Sequence, residues 1–163
     1  MPNANTPYAS FLDNQDPVTV LSATVVRLSE LSEKIGQSRI NQPIAPGKWS
    51  PRQIIIHLAD CELAFGFRYR QTLALDNHTV QPFDQDLWAK NYAAYDANSA
   101  LRTFTALRGW NLALVTSLTA GQFDKPCMHP ERGEETLRTL LEISAGHDIN
   151  HLRQLETFAT KAT

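Results

Sequence analysis

Residues 144–151 read Ser144-Ala145-Gly146-His147-Asp148-Ile149-Asn150-His151, inside an apolar-periodic run from Leu137 to Phe158. The period decides what this stretch is. Leu137, Leu140, Leu141, Ser144, His151, Leu155 and Phe158 share one stripe at helical spacing, and His147 borders it. Residues four apart on a helix lie on one face, about 6 Å apart along the axis, so both imidazoles can turn to one ion. Spacing alone also fits two solvated surface histidines. Here the pair falls on the side that a bundle buries, and a buried imidazole pair without a partner is costly. A shared cation satisfies both.

Working outward, the same period recurs three more times. Asp16-Pro17 supplies a cap and a proline at the first helical position, and Val18, Leu21, Val25, Leu28, Leu31 and Ile35 follow. This predicts a first helix from Pro17 to about Ile35, ended by Gly36. Ser50-Pro51-Arg52-Gln53 combines a cap, a first-position proline and a capping box, and opens a second helix reaching about Leu75. Asp96 to Ser99 offers caps for a third, with Leu101, Phe104, Leu107, Trp110, Leu114 and Leu118 at spacings of three and four, and Gly121 to end it. Thr136 is the expected cap of the fourth, which carries the histidines and reaches about Phe158. Pro82 to Ala89 reads as a turn into a short extra helix. The connection from Asp76 to Asn98 is long enough to cross the bundle instead of turning sharply. Phe123 to Gly133, with Pro126, Pro130 and Gly133, reads as a connector, and no alternating strand of useful length, repeat or low-complexity tract interrupts the pattern. The expectation is all-α: a four-helix bundle over residues 16–160 preceded by a loose polar arm, residues 1–15.

The 163 residues suffice for one domain with a sizeable core. A net charge of −2 with both signs scattered gives no nucleic-acid surface and no polybasic membrane patch. No apolar run approaches a membrane span, and Met1 to Gln15 lacks the charged start and apolar centre of a signal peptide. Cys61 and Cys127 stand at no metal or redox spacing, as in a cytoplasmic protein with reduced thiols. Gly47-Lys48-Trp49-Ser50 is no phosphate loop, because the upstream glycine and preceding strand are missing.

His57 is the third candidate ligand. It shares a face of the second helix with Cys61, Ala64 and Arg68. A lone histidine on such a face is ordinarily a core residue, but a pair on a facing helix changes the reading. Three neutral imidazoles leave a dication's charge uncompensated and a fourth position open, as catalytic sites do. Asp60 and Asp148 are candidates to orient the imidazoles, or equally ion-pair partners. Arg68, about 16 Å along the axis from His57, reads as a structural ion pair. Cys61 reads as a small apolar core residue, His129 as a loop histidine without a metal role, and Trp49, Trp88 and Trp110 as packing residues, Trp88 also as a cleft wall.

These residues resemble the DinB superfamily of four-helix metalloproteins, and within it the YfiT-like branch. The resemblance runs through Gly47 to Gln53, His57-Leu58-Ala59-Asp60, Arg68, Pro82-Phe83-Asp84 with Leu87-Trp88-Ala89, Arg108 with Trp110, His129-Pro130 to Gly133, and His147 to His151. It implies a site for zinc or nickel on His57, His147 and His151, and frequent homodimers. Some branches are similar to thiol S-transferases, which join a low-molecular-weight thiol to an electrophile; others carry only a hydrolase label. Three functions follow as expectations: a metal-dependent thiol S-transferase, a metal-dependent hydrolase of a small substrate, and a non-catalytic metal- or ligand-binding stress-related protein.

Overall fold

Each long helix starts where its capping chemistry directs. In the computed structural model, which describes residues 6–160, Asp16 accepts from the Thr19 amide at 2.7 Å and opens α2 (Pro17–Ile35). Gly36 closes that helix at φ 73°, a conformation other residues resist. Ser50 and Gln53 form a reciprocal capping box ahead of α3 (Pro51–Ala74). Asp96 caps α5 (Ala97–Val115), and Thr136 accepts from the Thr139 amide at the start of α7 (Leu137–Thr160). The short α4 (Gln85–Ala89) and a 3-10 turn at Tyr92–Ala94 occupy the connection before α5.

Side-chain pairings fix the helix directions. Thr24 and Arg27 of α2 meet Asp148 and Glu156 of α7, so these two run parallel. Glu62 and Arg70 of α3 meet Arg108 and Asn111 of α5, also a parallel pair. His57 faces His151 while Cys61 faces His147, so α3 and α7 are antiparallel. The order is therefore up-down-down-up, and the connection from α3 to α5 must return the length of the bundle, as its length suggested.

Three expectations need correction. The third helix stops at Val115, short of Gly121, because Gln122 accepts from the backbone amide and hydroxyl of Thr119 and starts a separate turn, α6 (Ala120–Phe123). The connector expected over Phe123 to Gly133 is instead the start of a hairpin. Its strands β1 (Pro126–His129) and β2 (Gly133–Thr136) pair antiparallel, Cys127 opposite Glu135. Four-residue strands whose inward residues are Cys127, His129 and Glu135 leave no apolar period to read. The arm expected to be loose is packed in its described part: α1 (Ala9–Leu12) lies on α7, with Leu12 buried in the core. Gly146 permits this approach, since a Cβ there would stand 2.5 Å from the Tyr8 carbonyl oxygen.

The apolar core divides into two clusters. One gathers around Leu28, Ile55, Leu58, Phe104 and Leu155, the other around Leu12, Phe65, Val115, Leu137 and Leu141. A buried polar layer lies at the level between them, formed by the histidines on one side and Glu62, Arg108 and Asp148 on the other. No described helix is long and apolar enough to cross a membrane.

Candidate metal centre

His57 on α3 and His147 and His151 on α7 are all buried, and their ligand atoms lie within 4.8 Å of one another. The Nε2 atoms of His57 and His147 are 2.9 Å apart, and those of His151 and His147 3.1 Å apart. Two bonds of about 2.05 Å at a tetrahedral angle separate nitrogens by about 3.3 Å, so these two pairs are close to the spacing a zinc-like ion requires. A proton can bridge only one pair of these nitrogens at a time, whereas one cation can be shared by all three.

The protonation state suits such an ion. Burial lowers His57 to about 3, helped by the neighbouring His151, and lowers His151 to about 4 against a hydrogen bond to Gln154. His147 is driven well below its ordinary value by burial and by both other imidazoles. All three are thus neutral near pH 7, with lone pairs to offer. Nδ1 of His151 lies 3.1 Å from Oε1 of Gln154; donating there leaves its Nε2 as the lone-pair nitrogen. Gln154 escaped the sequence reading, although its place three residues after His151 put it within reach.

Neither carboxylate singled out as an orienting group touches an imidazole among the described residues. Asp148 accepts from Arg108 at 2.7 Å and from Thr24 at 2.9 Å. Arg108 also binds Glu62 at 2.6 Å, and Asn111 donates to the other Glu62 oxygen at 2.7 Å. Burial alone would lower Arg108, but the two carboxylates outweigh it and hold the guanidinium charged. Asp148 thus acts as an ion-pair partner that ties α7 to α5 and α2. Asp60 lines neither cavity at the site; burial raises its carboxyl.

Two cavities meet the imidazoles. A larger one, about 570 Å³, reaches His151 between Trp49, Gln154 and Phe158. A smaller one, about 270 Å³, reaches His57 and His147 past Arg68, Phe83 and His129. Tyr8 lines both and sets its ring edge-on against His147, 5.3 Å between centroids. The Trp49 ring centroid is 4.8 Å from that of His57, so this tryptophan walls the site as well as packing. Trp88 stacks on Phe83, while Trp110 is 69% exposed and packs in no core. His129 is buried and its Nδ1 accepts from the Glu131 amide. Cys61 is a free buried thiol, pushed up by burial, with Sγ 3.5 Å from Nε2 of His57.

The expected ion pair of Arg68 does not form. Its Nη2 donates to the Gln81 carbonyl at 2.9 Å, and its guanidinium rests against the Phe65 and Phe83 rings, each centroid 5.5 Å away. No described carboxylate lies within salt-bridge distance.

A parallel-paired four-helix bundle with three converging imidazoles on facing helices defines a class of metal-binding bundle proteins. The chain belongs to the DinB superfamily, whose model matches residues 21–155. It is similar to the putative metal-dependent hydrolase YfiT of Bacillus subtilis, 27% identical over 141 residues that cover 85% of this chain and 79% of that relative. The putative metal-dependent hydrolase OB0413 of Oceanobacillus iheyensis is 28% identical over 134 residues, covering 80% of this chain and 76% of that protein. The solved structure of Bacillus subtilis YfiT, a probable metal-dependent hydrolase with an unusual four-helix bundle topology, superposes with a TM-score of 0.76 at 26% identity, covering 86% of this chain and 84% of that one.

Proposed function

We propose that the protein is a metal-dependent enzyme of thiol S-transferase type, using the three-histidine site to activate a small thiol against a small electrophile. The observation that carries this reading is the meeting of two cavities at three neutral, convergent Nε2 atoms. When bound, a zinc or nickel ion supplies positive charge that lowers the pKa of a thiol or water beside it. The chain's own residues do the rest. His57, His147 and His151 hold the ion, Gln154 fixes the His151 tautomer, and Trp49 and Tyr8 wall the reacting centre. Two cavities suit two substrates.

A thiol is favoured over water because no described carboxylate at the site is placed as a buried general base. Glu62 and Asp148 are committed to Arg108. The carboxylates that line the cavities, Asp86 and Glu131, are both solvent-exposed. A thiol, with an ordinary pKa near 8.5, needs far less help to ionise than water does. Metal-dependent hydrolysis is the second reading, favoured by the names its relatives bear. Pairing into a homodimer belongs to the same proposal, and sedimentation of the purified protein reads it.

The test is turnover of a low-molecular-weight thiol with a model electrophile, beside ester and amide hydrolysis, before and after chelation and with zinc or nickel restored. Thiol conjugation that disappears on chelation and returns with metal supports the proposal. Hydrolysis without any thiol selects the second reading, and stoichiometric metal without turnover of either kind leaves a binding protein. Undiminished activity after complete metal removal would overturn the metal's role.

A further inference from the structure

A guanidinium with no anionic partner is costly to bury, because its lost hydration must be replaced by charge-matched acceptors. Arg68 is 8% exposed, yet only one of its five N–H donors has a partner among the described residues, the Gln81 carbonyl. Its side chain lines the smaller cavity, which it shares with His57 and His147. The second guanidinium there, Arg132, is already held by both carboxylate oxygens of Glu135. Of the two, Arg68 is the guanidinium with no described carboxylate within salt-bridge distance.

We propose that Arg68 is the recognition residue for a substrate carboxylate, seated in the smaller cavity with the substrate's reactive end directed at the three imidazoles. The inference deepens the function proposed above and rests on it for what happens at that reactive end. Helical side chains lean toward the N-terminus of their helix, so Arg68 reaches back along α3 toward Cys61 and His57. The helical rise from residue 57 to 68 is about 16 Å, which places the carboxylate several bonds from the reacting atom. Phe65 and Phe83 pack against the guanidinium, and a guanidinium's planar donor fork matches a carboxylate. A monoanion suits one guanidinium better than a phosphate dianion does, because Glu131 also lines this cavity and opposes a second negative charge.

The test is calorimetric binding of propionate, propionamide and inorganic phosphate to the full chain, metal-free and zinc-loaded. Metal-free protein matters because propionate there has no ion to bind. Propionate is expected to bind both forms and propionamide neither. Arg68→Met should weaken propionate by about tenfold or more, the worth of a charge-assisted contact. Arg68→Lys, which keeps the charge but not the fork, should fall between, and zinc stoichiometry and melting temperature report whether each variant is folded. Equal binding of acid and amide, undiminished binding by Arg68→Met, binding only to the zinc-loaded form, or phosphate binding in place of propionate would each overturn the proposal. Arg68-dependent propionate binding in a protein that turns over no thiol would sink the function proposed above and leave the carboxylate subsite standing.

Discussion

Gln154→Ala tests the proposed metal centre without touching a candidate ligand. The substitution removes the acceptor 3.1 Å from Nδ1 of His151 and leaves all three Nε2 atoms in place. Partners of this kind are worth about 10- to 100-fold in metal affinity, because they fix the tautomer and ring angle and raise the imidazole's basicity. Gln154 is solvent-exposed, so water can take over part of its role. The expected loss therefore sits at the low end, about tenfold or 1.4 kcal/mol. Gln154→Glu should act in the opposite direction, since a carboxylate accepts the Nδ1 proton more strongly. Ala, Gln and Glu are all good helix formers, so α7 itself is unaffected. Competition against a chromophoric chelator at fixed pH reads the affinities of all three proteins. Equal affinity of wild type and Gln154→Ala, or weakening by both variants alike, would refute the assignment of Nε2 as the ligand atom of His151.

Arg108→Met strands Glu62 and Asp148, whose side chains are 2% and 3% exposed, and should cost roughly 3–5 kcal/mol in urea unfolding; a loss under 1 kcal/mol would contradict the ion-pair role. Chelation of the metal-loaded protein should lower its melting temperature, by the equivalent of about 2.7 kcal/mol where free ion had stood a hundredfold above Kd, and an unchanged melting temperature means that no ion links α3 to α7. Metal-free protein should lose stability in acid: its unfolded histidines take protons near pH 6.5, whereas folded His57 and His151 resist until about 3 and 4. That contribution is complete above pH 6.5 and falls by up to about 1.4 kcal/mol per pH unit per histidine below it, so a flat profile between pH 6.5 and 4 in denaturant titrations would count against neutral burial.

The long helices were legible because their signals are local. Asp16-Pro17 and Ser50-Pro51-Arg52-Gln53 state a helix start within four residues, and two of the three imidazoles sit four residues apart, a spacing that helical geometry makes meaningful. What escaped the sequence depends on contacts distant in the chain. Arg68 reads as an ion-pair partner until the fold shows no carboxylate near it. Asp148, one residue from a candidate ligand, points the other way around α7 and meets Arg108 and Thr24. Glu62 and Arg108 interrupt apolar faces as charges ordinarily do on solvated surfaces, and only the parallel pairing of α3 and α5 brings them together in the interior. The hairpin was invisible for a different reason: its four-residue strands carry polar residues inward.

The single hydrogen at Gly146 has a reach beyond its own helix. It lets the Tyr8 backbone settle on α7, and the Tyr8 ring then borders both hollows at once. A methyl group at position 146 would collide with the Tyr8 carbonyl and lift that segment, changing the wall of both hollows together. The shape of both entrances thus depends on an absent side chain one residue before a histidine of the cluster.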